Sequence, residues 1–289
     1  MCFFFLFIFA KLILQFRTLP ISKTVGEVAG IAINKDDNLI IFHRADRTWN
    51  SRSFNEKNVF NTTAGPIAGA TLFVVDRKTG KVLTEGGKNK FYMPHGLSVD
   101  HKNNIWVTDV GLHQVFKLDK NLNIQLTLGE KLVPGADDQH FCMPTDVAVS
   151  RIGYVFVSDG YCNSRVMKFN ERGDFIMAFG RSNDNDAFLV PHSIAVDDDL
   201  DIVCVADREN ERILCYNAGT KPNDSGLDTT GVLMMKAEST GRVYAVRIKG
   251  SMDVDHLLIS CQSRFSSTVG NGRSLVANLR SDRRRVSDL

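Results

Sequence analysis

The sequence Pro94-His-Gly-Leu-Ser-Val-Asp100 recurs twice further along the chain, as Pro144-Thr-Asp-Val-Ala-Val-Ser150 and as Pro191-His-Ser-Ile-Ala-Val-Asp197. The three copies start 50 and 47 residues apart. Each is followed by a second apolar run that ends in Asp and then by a third run, which is Gln114 to Leu118 in the first copy. Repetition at a period of about 45 residues is typical of proteins built from repeated supersecondary units.

The repeated runs are short and rich in β-branched and aromatic residues, and Asp, Asn and Gly separate them. These features predict strands joined by tight turns. Four short antiparallel strands in about 45 residues make one blade of a β-propeller. No stripe of helical period recurs, which excludes a helical solenoid, and a β-sandwich does not explain such close copies. We therefore predict an all-β chain with the fold of a β-propeller.

About four to five blades are recognisable in the sequence. A looser copy begins at Ala29, before the three clear ones, and part of a fifth blade follows at Gly241 to Val246 and Leu257 to Ser260. The similarity between copies decays after Tyr216. A ring with this number of blades is either open or completed by a segment that the pattern does not reveal.

The composition of the 289 residues, 43% hydrophobic and 24% charged, excludes the disordered and collagen-like classes. The net charge of +2 argues against a nucleic-acid binder that depends on bulk charge. Residues 262–289 hold six Arg and two Asp, a charge of +4, so the remainder of the chain carries −2. No helical or strand period runs through 262–289, and we predict a basic, disordered tail there, after a propeller domain at 26–261.

Residues 1–25 form an apolar N-terminal segment with an uninterrupted apolar run from Cys2 to Ala10. A membrane-spanning helix needs about 20 apolar residues, so we predict no membrane span. The run has the length of a signal-peptide core but lacks the basic residues that normally precede one. A buried strand or a wrongly defined N-terminus are the alternatives. Glycosylation sequons at Asn61 and Asn223 agree with a secreted glycoprotein, located in a secretory granule lumen or outside the cell.

Four of the six cysteines lie where short-range disulfides are reasonable. Cys204 and Cys215 are symmetric about a predicted hairpin turn, so they face each other across two strands. Cys142 precedes an inner strand and Cys162 follows the next strand, at the same end of one blade. Two such bridges indicate an oxidising compartment, whereas six reduced core thiols in a cytosolic protein are the alternative.

His95 and His192 occupy the same position of the repeat, directly after the proline, and Thr145 occupies it in the blade between them. Innermost strands line the channel of a propeller, so alternate blades of a six-bladed ring would bring three such side chains toward the axis. Three imidazoles with an open fourth position are a catalytic zinc geometry, although two are present here. Two histidines that cap strand ends are the alternative.

Tyr161 and Arg44 each follow the second strand of a blade. An arginine near a phenol stabilises the phenolate and lowers the pKa of the phenol. Tyr161 is therefore a candidate general base with Arg44 as its partner, and two ordinary loop residues are the alternative.

Several longer strings carry a family resemblance. They are Phe42-His-Arg-Ala-Asp46, Tyr92-Met-Pro-His-Gly-Leu97, Trp106-Val-Thr-Asp109, Leu112-His-Gln-Val-Phe-Lys-Leu-Asp119, His140-Phe-Cys-Met-Pro-Thr-Asp-Val-Ala-Val149, Val157-Ser-Asp-Gly-Tyr-Cys-Asn-Ser-Arg165, Val190-Pro-His-Ser193 and Ala206-Asp-Arg-Glu-Asn210. They resemble peptidyl-α-hydroxyglycine α-amidating lyase, the lyase half of the peptide-amidating enzyme and a six-bladed propeller of NHL-type repeats. The resemblance runs from about Gly26 to Tyr216.

The resemblance implies a peptidylamidoglycolate lyase of the secretory pathway. Such an enzyme cleaves peptidyl-α-hydroxyglycine to a peptide amide and glyoxylate in the maturation of neuropeptides and peptide hormones. By resemblance, His95 and His192 match two of three zinc ligands. Arg44 and Tyr161 match the catalytic pair, in which the tyrosine deprotonates the substrate hydroxyl and the arginine supports the anion. A peptidylglycine monooxygenase is the implied partner, and whether it is made separately or fused elsewhere is left open.

The resemblance also implies structural features. Ile31 and Leu97 match positions whose backbone carbonyls bind a structural calcium ion. Cys142–Cys162 and Cys204–Cys215 match the two disulfides of the family.

The sequence departs from the family after its fourth recognisable blade. The third zinc histidine of the family lies in a Met-Pro-His-Asp motif whose aspartate completes the calcium site. His256 is the one later histidine here, and it lies in Val254-Asp-His-Leu-Leu258, which is not that motif. We therefore expect a chain truncated before its last blade, from a truncated isoform or an incomplete gene model. A non-catalytic propeller that binds peptides or a partner protein is the alternative function.

Overall fold

The computed structural model describes residues 19–180, 186–221, 228–239, 241–249, 256–263 and 273–278. Within these ranges the secondary structure consists of β-strands and turns. The strands are β1 Val28–Ile33, β2 Asn38–His43, β3 Leu72–Asp76, β4 Val82–Gly86, β5 Pro94–Val99, β6 Ile105–Asp109, β7 Gln114–Leu118, β8 Ile124–Leu128, β9 Pro144–Val149, β10 Val155–Asp159, β11 Arg165–Phe169, β12 Phe175–Phe179, β13 Pro191–Asp197, β14 Ile202–Asp207, β15 Arg212–Asn217, β16 Leu233–Glu238, β17 Gly241–Lys249, β18 His256–Ser263 and β19 Arg273–Asn278. No helix among the described residues is long and apolar enough to cross a membrane.

The described strands form five antiparallel sheets. Four have four strands in chain order, β1–β4, β5–β8, β9–β12 and β13–β16, and the fifth contains β17–β19. The first strands of successive sheets pack side by side, β1 against β5, β5 against β9, β9 against β13 and β13 against β17. This is the arrangement of propeller blades around an axis, so the predicted all-β propeller with four to five recognisable blades is confirmed for the described residues.

Burial explains which strands show alternation of apolar and polar residues in the sequence. The second strands β6, β10 and β14 are buried along their whole length, because a neighbouring blade covers each face, and they are continuous apolar runs as expected for strands covered on both sides. The outer strand β8 alternates between half-buried and exposed residues over its first four positions. Its solvent-facing side therefore shows the strand period of two.

A buried aspartate ends the second strand in three blades, at Asp109, Asp159 and Asp207, each with no exposed surface. Asp109 accepts hydrogen bonds from the backbone N–H groups just before β5 and just after β6. Asp159 and Asp207 accept one such backbone bond each and pair with Arg165 and Arg212. The aspartate therefore joins the start of the inner strand to the loop after the second strand.

Both predicted disulfides are present, which overturns the alternative of six reduced thiols. Cys142 and Cys162 are bonded with their Cα atoms 5.5 Å apart, and Cys204 and Cys215 with theirs 4.0 Å apart. The second pair occupies directly opposed positions of β14 and β15, as the hairpin symmetry predicted.

The C-terminal region differs from the expectation of a disordered tail at 262–289. Strand β18 continues to Ser263, and β19 at Arg273–Asn278 pairs with it along six residues. The apolar run Leu275 to Ala277 is too short to display a period, yet an edge strand needs only backbone pairing to its neighbour. Most of the predicted N-terminal segment, the rest of the tail and Asn223 lie outside the described residues.

Replacement of Arg165 by methionine should destabilise the fold strongly. The Arg165 side chain is 2% exposed, and its loss leaves the Asp159 carboxylate buried without its cation. It also removes hydrogen bonds to the carbonyls of Ala136, Asp137 and His140. We expect a loss of about 3–5 kcal/mol in the free energy of unfolding, measured by urea denaturation at neutral pH.

The matched control is Arg172→Met, because Arg172 pairs with Asp174 but is 80% exposed. This variant should lose less than about 1 kcal/mol. Equal losses in the two variants would show that the buried pair is not what holds this blade together.

Candidate active site

Three side chains from three blades converge at the end of the propeller where the inner strands begin. His95 lies at the start of β5, His192 at the start of β13, and Tyr161 in the loop after β10. The Tyr161 hydroxyl is 2.9 Å from Nε2 of His95 and 3.1 Å from Nε2 of His192. The two imidazole rings are 5.0 Å apart between centroids. The repeat position that the two histidines share therefore brings them to one place, beside a tyrosine that does not share it.

The backbone fixes the tautomer of both histidines. Nδ1 of His95 is 2.7 Å from the carbonyl oxygen of Thr145, and Nδ1 of His192 is 2.8 Å from that of Tyr244. A carbonyl oxygen only accepts, so each Nδ1 carries the hydrogen and each Nε2 presents a lone pair. Both lone pairs face a phenol that has a single hydrogen to donate. One of the two Nε2 atoms therefore has no hydrogen-bond donor to accept from. A cation bound at the cluster would occupy that free lone pair.

Burial keeps the two imidazoles neutral. It lowers the pKa of His95 well below the ordinary value, and the neighbouring His192 lowers it further. Burial likewise lowers the pKa of His192 to about 4. Neutral imidazole is the form that binds a metal ion, and a ligating histidine usually donates its second ring N–H to an oxygen, as both do here.

The donor set fits zinc in chemistry but supplies two protein ligands. A catalytic zinc site normally has three, and no group of three His, Cys, Asp or Glu side chains able to hold a metal is found in the part of the chain that is described. His256 pairs with Lys249 at the end of β17, whereas Tyr244 lies five residues earlier in that strand. Five residues of strand separate these positions by about 16 Å. The register therefore places His256 away from His192.

Arg44 lies beside the cluster, in the loop after β2. Its Nε donates to the carbonyl of Pro94 over 3.0 Å, and its guanidinium pairs with Glu27. The guanidinium carbon lies 5.5 Å from the ring centre of Trp49. The side chain is 8% exposed, so these contacts fix its position.

A second arginine, Arg208, was not singled out from the sequence. Its guanidinium lies 5.4 Å from the ring centre of Tyr161 and 5.6 Å from that of Tyr244, and its Nε donates to Glu209. Arg208 directly follows Asp207, in the same kind of loop that carries Tyr161. The signal that identifies it is a charged residue at the repeat position that Arg44 occupies in the first blade, where the two blades between have Val110 and Gly160.

The pKa of Tyr161 differs from the sequence expectation. Burial raises it above the ordinary value, while Arg208 and, to a lesser extent, Arg44 lower it. Both arginines act in the predicted direction, but the loss of water around the phenol outweighs them. The expectation of a lowered pKa was therefore wrong, because it took account of the arginine and not of the burial.

Comparison with known proteins gives a consistent set of relatives. The NHL repeat family matches residues 91–118 and 188–216. A probable peptidyl-alpha-hydroxyglycine alpha-amidating lyase of Caenorhabditis elegans is 47% identical over 230 residues, which cover 78% of this chain and 65% of that protein. Peptidyl-alpha-hydroxyglycine alpha-amidating lyase 2 of Drosophila melanogaster is 42% identical over 233 residues, 80% of this chain and 57% of that protein.

The chain is a homologue of the peptidyl-alpha-hydroxyglycine alpha-amidating lyases. It also matches the peptidylglycine alpha-amidating monooxygenase of Rattus norvegicus, at 48% identity over 68% of this chain and 21% of that protein. The chain thus spans less than two thirds of the length of these relatives. Among solved structures, the hydrazine synthase of Kuenenia stuttgartiensis superposes with a TM-score of 0.56 at 10% identity, over 90% of this chain and 65% of that one, which supports the fold alone.

The residues matched to calcium in this lyase homologue lie on neighbouring inner strands. Ile31 is in β1 and Leu97 in β5, and a Cβ atom added at Gly30 would lie 2.7 Å from Cβ of Leu97, so the two backbones approach closely. Two carbonyl oxygens are far from the six to eight oxygens that calcium takes. No acidic cluster supplies the remainder within the described ranges, so the residues present do not make a calcium site.

The first sequon lies on the surface. Asn61 is exposed, and its side-chain oxygen accepts the backbone N–H of Thr63. Its glycosylation stays a prediction.

The structure predicts that Arg208→Gln raises the pKa of Tyr161 further, because it removes the cation with the largest influence on that phenol. Arg44→Gln should raise the pKa by less. The measurement is an NMR titration of the protein labelled with ¹³C at tyrosine Cζ.

Arg151→Gln is the control, since Arg151 is an exposed arginine paired with Asp198 and Asp199. It should leave the Tyr161 titration unchanged. A larger effect of Arg44→Gln than of Arg208→Gln would contradict the assignment of Arg208.

Proposed function

We propose that this protein is a peptidylamidoglycolate lyase, which cleaves peptidyl-α-hydroxyglycine into a peptide amide and glyoxylate. The observation that carries the proposal is the single phenol of Tyr161, within hydrogen-bond distance of two neutral imidazoles and beside the guanidinium of Arg208. Relatives named as amidating lyases support the reaction class. The chemistry requires a base for a hydroxyl and positive charge for an anion, and these are the tasks that we propose for Tyr161 and the two arginines.

The reaction breaks one carbon–nitrogen bond. Tyr161, as the phenolate, takes the proton from the hydroxyl of the substrate. The oxygen electrons form the carbonyl of glyoxylate as the bond to nitrogen breaks, and the electron pair remains on the amide nitrogen. That nitrogen receives a proton, which the phenol can return, so the products are the peptide amide and glyoxylate and the tyrosine is regenerated.

The two arginines have distinct tasks in this proposal. Arg208, over the ring of Tyr161, favours the phenolate against the effect of burial. Arg44, which is held by Pro94, Glu27 and Trp49, supports the anion of the reaction with its positive charge.

We propose zinc as the cation of the cluster, with His95 and His192 as its ligands in the described part of the chain. When bound there, zinc would act as a Lewis acid that favours ionisation of an adjacent hydroxyl. The surplus of lone pairs over hydrogens around Tyr161 supports this assignment. Calcium is not part of the proposal, because the residues present do not make its site.

We place the protein in the secretory pathway, in the granule lumen or outside the cell, where the two disulfides would persist. Its substrate must come from a monooxygenase that hydroxylates a C-terminal glycine. The rat relative is named for such an activity, and the chain matches a limited part of it. We propose that such a monooxygenase, fused or separate, supplies the substrate.

The catalytic test is glyoxylate release from an N-acylated hydroxyglycine peptide. Tyr161→Phe should lower kcat by about 10²–10⁴-fold, the usual contribution of a general base. Tyr154→Phe is the matched control, because Tyr154 precedes β10 at the far end of the same blade. Absence of glyoxylate release by the unmodified chain would favour the non-catalytic, peptide-binding alternative.

The metal assignment has its own test. Zinc in the purified chain, measured by atomic emission, should fall below half-stoichiometry in both His95→Ala and His192→Ala. His140→Ala should keep its zinc, since His140 is held by Asp137 and Glu130 elsewhere. Turnover without zinc in the unmodified chain would remove the metal from the proposal and leave the tyrosine in place.

A further inference from the structure

The longest described connection within a blade runs from Arg44 to Thr71, between β2 and β3. It begins at Arg44, beside the candidate site, and ends where β3 begins. Trp49 lies in its first part and is half-buried. Its ring centre is 5.1 Å from that of Tyr161 and 6.4 Å from that of His95. An indole therefore forms one wall of the site, although no strand carries it.

The connection is fixed by its own packing. The Trp49 ring lies 5.3 Å from the ring of Phe54, and Phe54 is 5.3 Å from Phe60, with which it also forms an isolated β-bridge. Arg47 donates to the carbonyls of Tyr92 and Gly65. The position of the indole therefore does not depend on a ligand. A side chain that is already fixed in the free protein loses little conformational entropy when a ligand binds to it.

The distance from the phenol decides which part of a substrate can reach the indole. The hydroxyglycine is the last residue of the substrate and must reach Tyr161. One residue of extended chain spans about 3.3–3.6 Å, and the ring centre of Trp49 is 5.1 Å from that of Tyr161. The side chain of the preceding residue is therefore within reach of Trp49, the aromatic wall carried by a loop.

Tyr244 is a less suitable wall for that side chain. It lies within the inner strand β17, where its carbonyl holds His192, whereas Trp49 is carried by a loop. An arginine lies over each of the two rings, Arg208 over Tyr244 and Arg44 over Trp49, so the position in the fold and not the charge separates them.

The charge around the site also selects the ligand. Arg44 lies 5.5 Å from the centre of the indole and Arg208 lies 5.4 Å from that of Tyr161, so both disfavour a cationic side chain there. The apolar surface of the indole itself favours an apolar side chain.

We propose that Trp49 is a specificity-determining residue, which binds the side chain preceding the hydroxyglycine and selects peptides with an aromatic or long aliphatic residue at that position. The inference rests on the proposed lyase function. An aromatic contact of this kind changes discrimination by about ten-fold. The contact with Trp49 would define a class of preferred substrates for an enzyme that otherwise recognises only the C-terminal residue of the peptide.

The test compares N-acetyl-Phe-α-hydroxyglycine with N-acetyl-Gly-α-hydroxyglycine. The unmodified chain should have a kcat/KM about ten-fold higher for the phenylalanine substrate. Trp49→Leu should reduce this ratio to about two or less, with the loss confined to the phenylalanine substrate. Tyr244→Leu should keep the ratio. The ratio is the readout, because a merely structural loss at Trp49 would lower turnover of both substrates equally.

Equal kcat/KM for the two substrates in the unmodified chain, or a preserved ratio in Trp49→Leu, would overturn the proposal. Collapse of the ratio in Tyr244→Leu alone would assign the contact to the other ring. If neither substrate releases glyoxylate, the lyase function fails, and the contact is then tested by binding of N-acetyl-Phe-Gly and N-acetyl-Gly-Gly through isothermal titration calorimetry. Preference for the phenylalanine peptide that Trp49→Leu abolishes would still support the contact, and equal binding would refute it.

Discussion

A carboxylate that is completely buried at the end of the second strand organises each of the three clear blades. Such a group is costly unless every lone pair is used, and Asp159 uses its own on Arg165, Asn163 and the backbone N–H of Cys142. These contacts join the start of one strand to the loop after another. The candidate site is built at this junction, because its histidines begin inner strands and its tyrosine and arginines follow second strands.

The chemistry of the site follows from what surrounds that junction. The carbonyls of Thr145 and Tyr244 take the Nδ1 hydrogens of the histidines, so two lone pairs and one phenol face each other. Burial opposes charge on every one of these groups. The positive charge that the phenol needs must therefore come from fixed cations, and Arg208 lies closest to its ring. A dry site with its cations already in place is the condition under which electrostatic stabilisation is largest.

The repeat made the strands, the blades and the shared position of His95 and His192 predictable from the sequence. The repeat does place Arg208 where Arg44 lies in the first blade, directly after the second strand, but that correspondence was overlooked. The repeat could not find Trp49, which occurs in one blade, because a repeat identifies only what recurs. The direction of the Tyr161 pKa shift depends on how much water the folded loops exclude, which no local motif records. Strand β19 was missed for a related reason, since its pairing is specified by the neighbouring strand and not by its own pattern.

The histidines of the candidate site lie on strands, whereas the residue proposed to select the substrate lies on a loop. Substitution of His95 or His192 acts on a position that the blade geometry requires, whereas Trp49 lies on a connection that is not part of a sheet and packs through Phe54 and Phe60 against the core. A change of the indole can therefore alter which peptide fits without moving the phenol, because the phenol is held by its own loop and the Cys142–Cys162 bridge. Loops tolerate variation that strands do not, so this connection is the part of the fold in which peptide preference can change while the reaction stays the same.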